Sequence, residues 1–237
     1  MNQQNENNLN STLLGDIVTN YPATAEVFKT YRIDFCCGGN RPLGEILAEQ
    51  GSKAEEISGK LMEACRPASN DNEAVNWKEK NNSELIDHIV NKHHAYLYDN
   101  LPETGQYLTT IVNVHGSGHP ELSEVRKLFQ DMYSELMSHL PDEEQNMFPF
   151  IKEMEQNPSP DVQKKCIGMV EELEDEHESC GHILKEIRSI TKDYEIPADA
   201  CPTYKLTFKK LEELESDLFE HIHLENNILF PRVLNNA

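Results

Sequence analysis

Four long stretches of the chain place apolar residues alternately three and four positions apart, the spacing of a helix that buries one face. The pattern predicts helices over about 80–114, 121–155, 160–193 and 202–234. Turn formers break it at His115-Gly-Ser-Gly-His-Pro120, Gln156-Asn-Pro-Ser-Pro160 and Ile196-Pro-Ala-Asp-Ala-Cys-Pro202. No stretch alternates with the period of two that marks a strand. Helices of this length joined by short loops predict an all-α fold, an antiparallel up-down four-helix bundle. Upstream, Leu14, Val18, Ala23, Val27 and Tyr31 predict one helix from Leu13 to Tyr31, stopped by Asp34-Phe-Cys-Cys-Gly-Gly39. Shorter helices are expected over 42–50 and 53–65. The organisation expected is a disordered Asn/Gln-rich terminus (1–11), a small helical domain (12–68), a linker (69–77) and the bundle (78–237).

The buried stripes of the bundle contain residues that a core should not. The first reads Val90, His94, Leu97, Leu101, Leu108, Ile111, and the second Leu122, Val125, Phe129, Met132, Leu136, His139, Glu143. The third reads Cys166, Val170, Leu173, His177, Cys180, Leu184, Ile187, and the fourth Tyr204, Leu211, Leu214, Leu218, His221, Glu225, Ile228. A buried carboxylate costs several kcal/mol unless something pairs with it, and two facing one interior also repel. Divalent cations between them remove both problems.

Loop arithmetic puts these residues at one height. His139 and His177 each lie 19 residues from Pro158, and His177 and His221 each lie 22 from Asp199. His94 and His139 lie 23 and 22 residues from Ser117. In antiparallel neighbours, equal distance from the turn means equal depth, with each glutamate one turn along from its histidine. An internal echo supports the pairing: His139-x3-Glu143-x4-Phe148-Pro149 recurs as His221-x3-Glu225-x4-Phe230-Pro231. His93 and His223 point about 100° or more away around their helices. Together with His88, His115, His119 and His182 they are expected to fill ordinary surface or core roles.

Charge and composition narrow the partners. A formal net charge of -21 repels phosphate backbones and acidic lipids, which excludes nucleic-acid binding. No apolar run approaches the roughly 18 residues of a membrane span. The polar opening MNQQNENNLN has no leader character, and six cysteines with one adjacent pair make a poor disulfide framework. A reducing, cytoplasmic setting follows.

Four imidazoles and two carboxylates form a mixed N/O set. Structural zinc prefers four ligands, usually with thiolates, and calcium or magnesium want oxygens. Six such ligands suit two non-haem iron ions, each taking two histidines and sharing both glutamates, with an oxo or hydroxo bridge completing the pair. Open positions on such a pair could take O2, NO or peroxide.

These residues resemble the iron-sulfur cluster repair family (repair of iron centres, the ScdA/YtfE-type di-iron proteins). The resemblance rests on His94, His139-x3-Glu143, Glu176-His177 and His221-Ile-His-Leu-Glu225-Asn-Asn. Residues 78–237 look like its hemerythrin-like domain, and residues 12–68 like its small N-terminal domain with the Asp34–Gly39 hallmark. The Val114–Pro120 loop is closer to the ScdA-like branch. Oxygen-carrying hemerythrins use five histidines and two carboxylates, so four plus two argues against simple oxygen carriage. The resemblance implies repair of clusters damaged by nitric oxide or peroxide through iron donation, with damaged iron-sulfur proteins as acceptors. It also implies nitric oxide handling and association as homodimers. A di-iron nitric oxide reductase or peroxide-consuming enzyme, and an O2 or NO sensor or carrier, need the same site and stay open as alternatives.

Cys36 and Cys37 precede two glycines. Adjacent thiols do not easily chelate one tetrahedral ion from one chain, but accessible thiolates can attack, exchange or be oxidised. Packing of Phe35 and one cysteine in the small domain explains them equally well, and the resemblance favours function. Cys65, Cys166, Cys180 and Cys201 read as packing residues.

Overall fold

The computed structural model describes residues 9–66, 75–157 and 160–235, with side chains omitted for 160–163 and 235. The expectations for residues 1–8 and for most of the 69–77 linker lie outside the described residues. The described chain is helical, and its one β-type pairing is an isolated antiparallel bridge between Leu13 and Pro42. It divides into two compact units, one of residues up to Leu85 with those from Phe219 onward, the other Ile86–Leu218.

Four short helices come first: α1 (Leu14–Asn20), α2 (Thr24–Thr30), α3 (Leu43–Gln50) and α4 (Ala54–Ala64). The single helix expected over Leu13–Tyr31 is therefore two. Pro22 lacks an N–H and pushes Tyr21 out of helical conformation, and Tyr21 sits at φ -136, ψ 76. Nor do the glycines stop α2. Arg32 adopts the left-handed conformation at φ 59. Its N–H bonds Lys29 O at 3.2 Å and the Ile33 N–H bonds Phe28 O at 2.9 Å, a Schellman close. Buried Phe28 and Ile33 supply the apolar contact that accompanies it. Leu14, Phe28, Phe35, Leu43, Ile57 and Leu61 form the core around these helices.

The four bundle helices appear where the periodicity places them, but three of them change pitch. Helix α5 runs Asn82–His88, widens into a π turn at Ile89–His94, and continues as Ala95–His115. Helix α6 runs Glu121–Asp142, a π turn at Glu143–Met147, then Phe148–Gln156. Helix α7 is uninterrupted, Pro160–Ile190. Helix α8 runs Pro202–Leu224, a π turn at Glu225–Leu229, then Phe230–Asn235. The stripes of α6, α7 and α8 are buried as expected. The α5 stripe is buried from His94 to Ile111 and departs only at its start, where Val90 is half-buried and Leu85, Ile86 and Ile89 take the core positions. A π turn inserts one residue per turn and shifts the inward face by about 100°.

Candidate metal centre

Each π turn touches a candidate ligand. His94 is the last residue of the first, Glu143 opens the second and Glu225 opens the third. Proline accounts for two of them. Pro149 and Pro231 cannot donate the i→i−4 bond and crowd the carbonyl four residues back. The preceding N–H groups reach one residue further instead, Phe148 to Glu143 O and Phe230 to Glu225 O. No proline accompanies the π turn at His94, where the Ala95 N–H reaches Val90 O. Single π turns inside α-helices gather at functional sites.

All six predicted ligands are buried, none more than 4% exposed. His94, Glu143, His221 and Glu225 offer ligand atoms that all lie within 4.8 Å of one another, and so do His139, Glu143, His177 and Glu225. Each histidine belongs to one group and both glutamates belong to both.

The imidazoles are aimed. His139 Nδ1 lies 2.6 Å from Glu176 Oε2, and His94 Nδ1 lies 2.8 Å from Glu144 Oε1. A carboxylate can only accept, so these rings donate their Nδ1–H outward and turn an Nε2 lone pair inward. This is the carboxylate–histidine arrangement that orients metal ligands. His94 Nε2 and His139 Nε2 stand 3.4 and 3.3 Å from Glu143 Oε2, and His177 Nε2 stands 4.0 Å from Oε1. His139 Nε2 and His177 Nε2 face each other at 3.1 Å. His221 Nε2 lies 3.0 Å from Glu225 Oε1.

Among the described residues, neither oxygen of Glu143 receives a hydrogen bond. A fully buried carboxylate in that condition costs several kcal/mol unless its charge is matched. Within the chain the match falls to the histidines. Burial pushes the Glu143 carboxyl up, but His139, His94 and His177 outweigh it and hold it below the usual range. Burial likewise opposes charge on His94, and Glu143 and Glu144 outweigh it and raise its pKa. Lone pairs and carboxylate oxygens converging in a dry interior fit cations.

The remaining histidines stay outside both groups. His93 is buried, with Nδ1 2.9 Å from Asp217 Oδ1. His223 is buried against the edge of Phe35, with Nε2 3.5 Å from Thr19 Oγ1, and burial holds its pKa down to about 4. His119 bridges Glu121 and Asp199 at 3.0 and 3.1 Å. His115 packs edge-on to Tyr204, and His182 is exposed.

Cys36 and Cys37 lie in the loop after α2, apart from the two His/Glu groups in sequence but not alone. Asp34 Oδ1 accepts from the N–H groups of Cys36 and Gly38, each at 3.1 Å, and lies 3.2 Å from Cys36 Sγ. Its contact with Cys37, burial and the Asp34 charge all push the Cys36 thiol well up. Cys166 and Cys180 are buried packing residues, while Cys65 and Cys201 are only half-buried.

A model of the hemerythrin HHE cation binding domain matches residues 85–233, and one of a domain of unknown function, ScdA_N (DUF542), matches residues 10–65. The chain is 31% identical over 222 residues to the iron-sulfur cluster repair protein ScdA of Staphylococcus epidermidis, covering 93% of this chain and 97% of that one. The chain belongs to the ScdA/YtfE iron-sulfur cluster repair family. It is also 33% identical over 222 residues to the repair protein YtfE of Enterobacter sp., 93% of this chain and 96% of that one. With ScdA of Staphylococcus haemolyticus it shares 29% over 223 residues, 94% and 98% of the two chains. In this ScdA/YtfE-family chain the hemerythrin match contains all six buried ligand candidates, and the ScdA_N match contains Asp34, Cys36 and Cys37. No helix among the described residues is long and apolar enough to cross a membrane.

Glu144 escaped the sequence reading. It is one of 42 acidic residues, it adjoins Glu143, and nothing in its spacing sets it apart. Asn227 entered only as the last residue of the His221–Asn227 motif, with no role, because its partners Phe35 and Cys36 lie more than 190 residues away.

Proposed function

We propose that this protein restores damaged iron-sulfur clusters by donating iron from a pair of ions held by His94, His139, Glu143, His177, His221 and Glu225. The sharing of Glu143 and Glu225 by both ligand groups carries this reading, because two carboxylates common to two histidine pairs are what a bridged metal pair needs. The names of the relatives supply the repair role. His94 and His221 would hold one ion, and His139 and His177 the other. Iron bound there supplies a redox-active Lewis acid with open positions.

The chain's own groups prepare that site. Glu144 and Glu176 accept hydrogen bonds from the Nδ1–H groups of His94 and His139 and fix the rings so that Nε2 faces inward. Helix packing keeps water from Glu143 and Glu225, so the carboxylates have no solvent to prefer over a cation. Protonating the imidazoles or the carboxylates would loosen the ions, because both ligand types bind metal only when deprotonated. We assign the activity to the reducing cytoplasm, with damaged iron-sulfur proteins as acceptors and NO, O2 or peroxide as small ligands.

The test is anaerobic. Iron-loaded protein is mixed with a nitrosylated iron-sulfur enzyme, and acceptor activity and protein-bound iron are followed together. Donation predicts recovery matched by iron lost from this chain. Recovery with no iron loss would overturn donation in favour of nitric oxide removal, and no recovery would overturn repair.

A further inference from the structure

The loop that closes α2 gathers three ligand atoms outside the iron-pair site. Asp34, Cys36 and Cys37 each offer one, all within 4.8 Å of one another. Cys36 is buried and Cys37 is half-buried, so the group has a closed side and an open one. The two sulfurs stand 3.9 Å apart. Two thiolates on one tetrahedral cation, each about 2.3 Å from it, stand about 3.8 Å apart. A thiolate and a carboxylate oxygen on the same cation stand about 3.5 Å apart, close to the 3.2 Å between Cys36 Sγ and Asp34 Oδ1. Adjacent cysteines alone make a poor chelate, and Asp34 supplies the missing third arm.

The loop is also tethered. Asn227 Nδ2 donates to Cys36 O at 2.9 Å and Phe35 O at 3.3 Å. Asn227 lies in the π turn that Glu225 opens. Gly15 and Gly39 leave the space it occupies: a Cβ at either would sit 2.2 or 2.1 Å from Asn227 Oδ1. The Gly15 N–H to Gly39 O bond, 2.9 Å, keeps those two glycines together. One side chain thus ties the thiol loop to the helix turn that carries a proposed iron ligand.

We propose that Asp34, Cys36 and Cys37 form a second site for a single thiophilic divalent cation, a station where iron leaving the pair is held before transfer. Binding replaces two S–H protons: the cation, two thiols and one carboxylate give the bis-thiolate carboxylate complex and two released protons, with no change of oxidation state. Three chain ligands leave the fourth tetrahedral position for a donor from the acceptor. The role as a station rests on the iron-donation reading, whereas the site itself does not.

Cobalt(II) is the probe, because thiolate ligation gives it a charge-transfer absorption in the near ultraviolet that histidine and carboxylate ligation do not. Full-length protein with its iron pair loaded is titrated anaerobically with cobalt(II). One equivalent should bind with a thiolate-to-cobalt band. Cys37→Ser, at the half-buried position, should reduce the band by about half, since one thiolate remains. Asp34→Asn should weaken binding about tenfold or more. Circular dichroism and iron content establish that each variant is folded. No thiolate band in the wild-type protein, or an undiminished band in Cys37→Ser, would overturn the site. The band requires no iron transfer, so repair can fail while the site stands, and the site can fail while repair stands.

Discussion

The two copies of His-x3-Glu-x4-Phe-Pro, at 139–149 and 221–231, begin alike and end differently. In each the histidine and glutamate are buried, the glutamate opens a π turn, and the phenylalanine N–H reaches back five residues to the glutamate carbonyl. They part just beyond the glutamate. In the first copy Glu144 accepts the His94 Nδ1–H and aims that ring. In the second, Asn227 grips the carbonyls of Phe35 and Cys36. One helical device thus serves two ends, Glu144 of α6 polarising His94 of α5 and Asn227 of α8 holding the thiol loop that follows α2. The pair of copies looks symmetric in sequence because the symmetric part is the part that faces the proposed iron pair.

Removing the shared element tests that symmetry with the largest effect. Glu143→Leu combined with Glu225→Leu should abolish iron binding while helicity survives, since apolar groups of similar size replace carboxylates that cost energy when buried without a cation. Metal analysis and circular dichroism read the two outcomes, and iron retained in this variant would break the assignment. Glu144→Ala attacks only the first copy. It should lower metal affinity by about 10- to 100-fold, the usual consequence of removing a carboxylate that orients a histidine ligand. Competition with a chelator measures it, and unchanged affinity would mean His94 is positioned by packing alone.

Asn227→Ala attacks only the second copy. It should cost about 1–3 kcal/mol of stability through two lost side-chain hydrogen bonds and weaken cobalt binding at the Cys36 loop, with the iron stoichiometry kept. Denaturant unfolding and the cobalt titration measure the two. The smallest effect lies outside both copies. Glu121 and Asp199 raise the His119 pKa, so this half-buried histidine contributes stability below its usual pKa and loses it as pH rises through the raised value. A slight fall in melting temperature above neutrality, absent in His119→Gln, is expected, and an equal fall in both proteins would assign it elsewhere.

The bundle was legible because burial imposes a period, and residues such as Phe129, Leu173 and Leu218 obey it. The buried His/Glu layer was legible because His94, His139, Glu143, His177, His221 and Glu225 occupy that period without belonging to it. The π turns were not legible. One extra residue shifts the register without altering the composition, so Val90 reads as core when it is half-buried. Their one trace, the Phe-Pro tail at 148–149 and 230–231, stood out as a repeat rather than as a missing N–H. The small helices misled for local reasons. Pro22 splits an apolar pattern that otherwise continues, and Arg32 accepts the left-handed conformation expected of Gly38 and Gly39. Glu144 and Asn227 act through partners 50 and more than 190 residues away, and no local pattern carries that information.

The central claim is that two ions share two buried carboxylates. Mössbauer spectroscopy of protein reconstituted anaerobically with isotopically enriched iron tests it most directly. A magnetically coupled pair at about two irons per chain is the expected result. A single iron, or two that do not sense each other, would contradict it.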